Sequence, residues 1–67
     1  NLVKVYDILE KYTDYFSVKS ISEDNNGRLD MLVRLNIYNR EDLEKLRIEI
    51  KKEFKDSLFS FYETPNK

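Results

Sequence analysis

The strongest constraint on the fold is an alternation of apolar and polar residues from Leu29 to Ile37. Apolar side chains occupy every second position: Leu29, Met31, Val33, Leu35 and Ile37. Because successive side chains of a β-strand point to opposite faces, this spacing predicts a strand with one apolar face. The rest of the chain must then supply a layer that covers this face.

A second strand and a turn precede this segment. Residues 16–22 have a β-leaning composition, and Asn26-Gly27 is a strong hairpin signal because both residues tolerate positive φ. A tight two-residue loop is disfavoured because it would place like charges opposite each other, Lys19 with Arg34 and Glu23 with Asp30. We therefore predict a four-residue loop over residues 24–27. In that register the cross-strand pairs are Glu23 with Arg28, Val18 with Val33 and Phe16 with Leu35.

Two segments have the spacing of amphipathic helices. In the first, predicted over residues 2–14, apolar side chains recur at intervals of three and four. They are Leu2, Val5, Leu9, Tyr12 and Phe16, with Ile8 and Tyr15 beside them. In the second, Asn39 is the expected N-cap, acidic residues fill the first turn, and the end is expected near Lys55 or Asp56.

The order of elements predicts an α+β fold. The apolar stripe of the second helix is Leu43, Leu46, Ile50 and Phe54, and residues 58–62 form an aromatic third strand. The expected architecture is an αββαβ two-layer sandwich, with a three-stranded sheet and both helices on one face, over the single domain 1–67. Its core is predicted to contain Leu9, Val33, Leu35, Leu46, Ile50 and Phe54. Because the chain begins at Asn1 without Met, we expect a fragment of a longer protein.

Composition argues against catalysis and against metal or cofactor binding. The sequence has no His and no Cys, so the usual nucleophile and base pairs cannot be built, and a single Gly rules out a glycine-rich phosphate loop. The carboxylates of Glu23, Asp24 and Asp30 are oxygen ligands of the kind that bind divalent cations, but an ordinary turn favours the same residues. We expect a protein that is not an enzyme and has no cofactor and no metal site.

Charge and hydropathy narrow the range of partners. Twelve Lys and Arg against thirteen Asp and Glu give a net charge of −1, which argues against nucleic acid as a partner. No apolar run approaches the roughly 20 residues of a membrane-spanning helix, so no direct membrane insertion is expected. The five Tyr and four Phe are better explained by core packing than by base stacking.

Apolar residues remain once this core is assigned. If Val33 and Leu35 face the helices, Ile21, Leu32 and Tyr38 lie on the reverse of the sheet, and Ile48 lies on the outer side of its helix. The third strand must also send either Phe59 and Phe61 or Leu58 and Tyr62 to the reverse face. A contiguous exposed apolar patch marks an interface, and a chain of 67 residues has a weak core. We predict an interface that contains Ile21, Leu32, Tyr38 and Ile48, formed with a second copy or with the rest of the parent protein. Self-association would use either the reverse face of the sheet or the unpaired edge that a missing strand leaves.

The order helix, hairpin, helix, strand resembles a ferredoxin-like or ACT-like domain that lacks its first strand. In the complete fold that strand lies between the second and third strands of this chain. Either the third strand moves beside the second, or another chain or a missing upstream segment fills the gap. The chain is also similar to cytosolic C-terminal domains of bacterial membrane proteins, including cation diffusion facilitators and relatives of the magnesium-transporter-C family. Domains of the first group often bind metal through His and Asp, and this sequence has no His.

These resemblances imply a non-enzymatic dimerisation or regulatory domain of a larger, membrane-embedded protein, located in the cytoplasm. The alternative from a different class is a small-ligand sensor of the ACT type, with the ligand between subunits. An RNA-binding module is the third hypothesis and has the least support from charge.

Overall fold

Both helices lie on one side of a three-stranded sheet in the computed structural model, which describes residues 2–63. The elements in chain order are α1 (Leu2–Tyr12), β1 (Tyr15–Glu23), β2 (Leu29–Asn36), α2 (Arg40–Glu53) and β3 (Leu58–Glu63). The α+β class and the αββαβ order predicted from the sequence are confirmed.

The sheet has the strand order β1-β2-β3, so β2 is its central strand. β1 and β2 form the antiparallel hairpin, whereas β2 and β3 are parallel because α2 carries the chain back between them. Of the two arrangements considered for the third strand, the structure has the one in which it lies directly beside the second. Within residues 2–63 the free edges of the sheet are therefore the outer sides of β1 and β3.

The hairpin contains a bulge at Lys19. Phe16 pairs with Leu35 and Val18 with Val33, as predicted, but the next pair is Ser20 with Leu32, so β1 has one extra residue. A bulge shifts the register of everything beyond it. Glu23 consequently lies opposite Leu29, and the predicted pairing of Glu23 with Arg28 is wrong.

The hairpin loop is accordingly one residue longer than predicted. The Asp24 carboxylate accepts the backbone N–H groups of Asn26 and Arg28, each at 2.9 Å, and lies 3.6 Å from the Arg28 guanidinium. Gly27 alone among the described residues has a positive φ, at 83°, where a side chain would be strained. The backbone hydrogen bond from Arg28 contributes most to lowering the pKa of Asp24.

The core lies between the helices and one face of the sheet. The buried side chains are Val5, Ile8, Leu9, Leu29, Met31, Val33, Leu35, Leu46 and Ile50. Phe54 is half-buried and packs against them, so all six predicted core residues belong to the core. Phe59 and Phe61 also pack against it, which confirms the core role expected for these two rings.

Both helices end two or three residues earlier than predicted. α1 ends at Tyr12, and the N–H and hydroxyl of Thr13 both donate to the Leu9 carbonyl. Tyr15, assigned from its spacing to the helix, instead begins β1. α2 begins after Asn39, as predicted, and ends at Glu53. Over residues 2–63, neither helix is long and apolar enough to cross a membrane.

Candidate functional site

The two faces of the sheet are assigned by the register of the strands. On β2 the odd-numbered residues from Leu29 to Leu35 are buried, so the even-numbered ones point away from the helices. Their neighbours on β1 and β3 point the same way. We call this surface the open face; its residues are Tyr15, Ser17, Ser20, Ser22, Asp30, Leu32, Arg34, Asn36, Leu58, Ser60 and Tyr62.

Apolar groups interrupt the polar residues of the open face. Leu32 lies at its centre and is 37% exposed, and Leu58 on the neighbouring strand is 60% exposed. Tyr15 and Tyr62 expose 46% and 42% of their surface at one end of the face. Within the described chain no helix covers these residues, so they form an apolar surface that lies in contact with solvent.

Arg34 lies beside Tyr15 and Tyr62 on this surface. Its Nη2 atom lies 3.4 Å from the Tyr15 hydroxyl, and its guanidinium carbon lies 5.8 Å from the centre of the Tyr15 ring. Tyr62 is its partner on β3. Hydrogen bonding from Arg34 is the main cause that lowers the pKa of Tyr15. These contacts hold the guanidinium beside the Tyr15 side chain.

Neither charge on β2 has an ionic partner among the residues that the structure describes. The ion pairs of the described residues join Lys4 to Glu53, Lys11 to Glu49 and Arg28 to Asp24, and none includes Arg34 or Asp30. The Nε atom of Arg34 is also buried without a hydrogen-bond acceptor from residues 2–63. Buried donors are usually satisfied, so the unsatisfied Nε atom shows that the hydrogen bonding of Arg34 is incomplete within residues 2–63.

Of the four residues predicted for an interface, only Leu32 lies on the open face. Ile21 pairs with buried Met31 and therefore points to the helix side of the sheet, because the bulge at Lys19 reverses the alternation beyond it. Tyr38 is 84% exposed but lies in the connection after β2 ends, so its predicted place on the sheet is wrong. Ile48 is exposed on the outer side of α2 beside Arg47, Lys51, Lys52 and Lys55, in the other layer of the molecule.

Tyr15 and Arg34 were not predicted for this surface. Tyr15 fitted the helical spacing, and Arg34, as one charge in an alternating strand, entered only the choice of the hairpin loop. Leu58 and Tyr62 were one of the two alternatives for β3, and the pairing of Met31 with Phe59 decides for them. The signal that could have shown Arg34 is its symmetric position with Asp30 about Leu32.

The carboxylates near the hairpin do not converge. The Asp24 carboxylate is bound to its own turn, while Glu23 and Asp30 belong to opposite faces because their partners are Leu29 and Ser22. Across residues 2–63 no three His, Cys, Asp or Glu side chains come close enough together to hold a metal ion.

A groove with a volume of about 470 Å³ lies between α2 and β3. Phe54, Phe59 and Phe61 line it, and the first two rings lie 5.9 Å apart. Because the three rings also pack against buried residues, the groove is the outer boundary of the core. Arg47 and Lys51 flank it on the helix side.

The chain was compared with protein-family models, curated proteins and solved structures, and no match was found in any of the three.

Proposed function

We propose that this chain is a non-enzymatic dimerisation and regulatory domain of a larger protein, and that its copies associate through the open face. The observation that supports this most directly is the difference between the two sides of the sheet. One side is covered by both helices, whereas Leu32, Leu58, Tyr15 and Tyr62 lie uncovered on the other.

The small size of the domain adds a physical reason for association. A domain of about 60 residues buries only about 60% of the surface that its unfolded chain exposes, so its stability is marginal. Cys, which could supply disulfides, and His, a common metal ligand, are both absent from the sequence. A second copy on the open face would bury apolar area that the fold of one chain leaves in water.

The expected contact is weak. With standard strand spacing and rise, three strands of this length present a face on the order of 400 Å². A standard interface buries about 800 Å² on each partner. Association in the micromolar to millimolar range is therefore expected for the free domain. Attachment to a parent protein would raise the local concentration, and such a contact could then form and dissociate as a regulatory step.

The topological resemblance extends this proposal to a parent protein embedded in a membrane, with the domain on its cytosolic side. The full-length reading frame tests this extension. Transmembrane segments immediately upstream of residue 1 would support it, and a parent protein without any such segment would contradict it.

Sedimentation equilibrium from micromolar to millimolar concentration tests the proposal itself. The wild-type chain should show a reversible monomer–dimer equilibrium, and Leu32→Lys should raise the Kd at least about tenfold because it places a charge at the centre of the contact. Ile48→Lys is the matched control, since it replaces an exposed apolar residue in the other layer. It should leave the Kd unchanged.

A wild-type chain that stays strictly monomeric at millimolar concentration would contradict self-association of this domain. A dimer that is insensitive to Leu32→Lys but disrupted by Ile48→Lys would contradict the choice of surface.

A further inference from the structure

The strand register arranges the centre of the open face in three parallel rows. Each row pairs a residue of β2 with its neighbour on β3: Asp30 with Leu58, Leu32 with Ser60, and Arg34 with Tyr62. The rows before and after Leu32 carry opposite charges at the same distance from it. The β3 positions of these two rows are both apolar or aromatic. The face is therefore complementary to itself when one copy is reversed along the strand direction.

We propose, building on the dimerisation function above, that two copies pack face to face about a twofold axis. The axis lies between the two sheets, runs across the strands perpendicular to β2, and passes over Leu32. This rotation reverses the strand direction and keeps each strand opposite its own copy. Leu32 then meets the partner's Leu32 at the axis. Asp30 faces the partner's Arg34, and Arg34 faces the partner's Asp30.

The neighbouring strand fits the same axis. On β3 the rotation brings Leu58 opposite the partner's Tyr62 and places the small Ser60 at the centre. Facing sheets pack about 10 Å apart, a distance that an Arg and an Asp side chain together span. Two ion pairs would therefore flank the central pair of Leu32 side chains. A Leu58–Tyr62 pair would lie beside each ion pair.

The charges select this axis over the other face-to-face arrangement. A twofold axis parallel to β2 would keep the strand direction, so Asp30 would face the partner's Asp30 and Arg34 the partner's Arg34. Like charges in a contact disfavour it, whereas opposite charges fix its register. Only the perpendicular axis gives Arg34 the carboxylate that it lacks within residues 2–63.

The guanidinium is already positioned for such a contact. Tyr15 holds Arg34 by a hydrogen bond and by its ring. A side chain that is ordered before binding loses less entropy when the complex forms. Arg34 and Asp30 are therefore the residues that determine how the two copies align.

Charge reversal tests the axis, with sedimentation equilibrium as the measurement. Asp30→Arg and Arg34→Asp should each raise the Kd at least about tenfold, because each places two like-charge pairs in the contact. The double variant restores opposite charges and should return to within about threefold of the wild-type Kd. An equimolar mixture of the two single variants should form a heterodimer, which also shows that both chains are folded.

The possible results distinguish a failure of this inference from a failure of the proposed function. A wild-type monomer contradicts both. A wild-type dimer that Leu32→Lys disrupts, but that neither single charge reversal weakens, leaves dimerisation through the open face standing and overturns the perpendicular axis. Single variants that lose association, with no recovery in the double variant or in the mixture, also overturn it.

Discussion

The eight residues of strand β2 alternate between two faces of the sheet, and these two faces have opposite environments. On the helix side Leu29, Met31, Val33 and Leu35 are almost completely buried. On the other side Asp30, Leu32, Arg34 and Asn36 remain in contact with solvent or are only half-buried. The helix side explains why the chain folds. The open side carries an exposed central leucine and two charges that have no ionic partner within residues 2–63.

This contrast also separates residues that determine stability from residues that determine association. A substitution on the helix side leaves a cavity among close-packed side chains, and its effect does not depend on protein concentration. A substitution on the open side removes contacts that one chain does not make alone, so its effect should appear only when copies meet.

The largest expected effect is on the helix side. Leu35→Ala or Ile50→Ala should lower the free energy of unfolding by about 2 to 5 kcal/mol, which is most of the stability of a domain this small. Leu32→Ala on the open side should cost less than about 1 kcal/mol at concentrations where the chain is monomeric. Urea denaturation measures both. Equal losses of unfolding free energy for Leu35→Ala and Leu32→Ala would contradict the distinction between the two faces.

A pair of serines sharpens the comparison at β3. The hydroxyl of Ser57 accepts the N–H of buried Leu29 at 2.9 Å, whereas Ser60 lies exposed on the open face. Ser57→Ala leaves a buried donor unsatisfied and should cost about 1 to 3 kcal/mol. Ser60→Ala should change the free energy of unfolding by no more than about 0.5 kcal/mol. A larger loss of stability for Ser60→Ala than for Ser57→Ala would contradict the role of the Ser57 hydroxyl as the acceptor for Leu29.

A smaller effect concerns the contact that joins the two helices. The Tyr12 hydroxyl donates to the Glu49 carboxylate at 2.6 Å, and this hydrogen bond is the main cause that lowers the pKa of Glu49. A carboxyl whose pKa is lower in the folded state stabilises the fold above its unfolded pKa, near 4.3 for Glu, and loses this effect as the pH falls through the folded value.

Tyr12→Phe should therefore destabilise the chain at neutral pH, and the difference from wild type should shrink as the pH falls below about 4. Glu44→Gln is the control, because Glu44 is an exposed carboxylate on the same helix. Chemical denaturation over a pH series is the measurement. A wild-type to Tyr12→Phe difference that stays constant down to strongly acidic pH would rule out this contribution of Glu49.

For chelators and divalent cations we expect no effect on thermal stability. EDTA and millimolar Mg²⁺ or Ca²⁺ should leave the Tm unchanged, because the Asp24 carboxylate is bound to its own turn and Glu23 and Asp30 belong to opposite faces. Differential scanning calorimetry checks this. A rise of several degrees with either cation would require a site that involves these carboxylates.

The helix side of the fold could be predicted from the sequence because its signals are local. The alternation of β2 and the helical spacing of Leu46 and Ile50 each depend on a few neighbouring residues, and burial followed them. The tight hairpin loop could also be rejected from local signals, because it would place like charges of one hairpin opposite each other.

The open side depended on features that the spacing does not encode. One extra residue at Lys19 moves Ile21 to the helix side, and no local pattern marks a bulge there. The placement of β3 beside β2 is a tertiary choice, and it decides that Leu58 and Tyr62, not Phe59 and Phe61, are uncovered. The sequence shows the symmetric spacing of Arg34 and Asp30 about Leu32, but the neighbours of Arg34 on both adjacent strands are known only from the structure.

Isotope-filtered NOE spectroscopy on a mixture of labelled and unlabelled chains tests most directly whether copies meet on the open face. At millimolar concentration, intermolecular NOEs should join the Leu32 methyl groups of the two copies, and others should join the Leu58 methyls to the ring protons of Tyr62. Intermolecular NOEs confined to Phe59, Phe61 or Ile48, with none from Leu32, would contradict association through this surface.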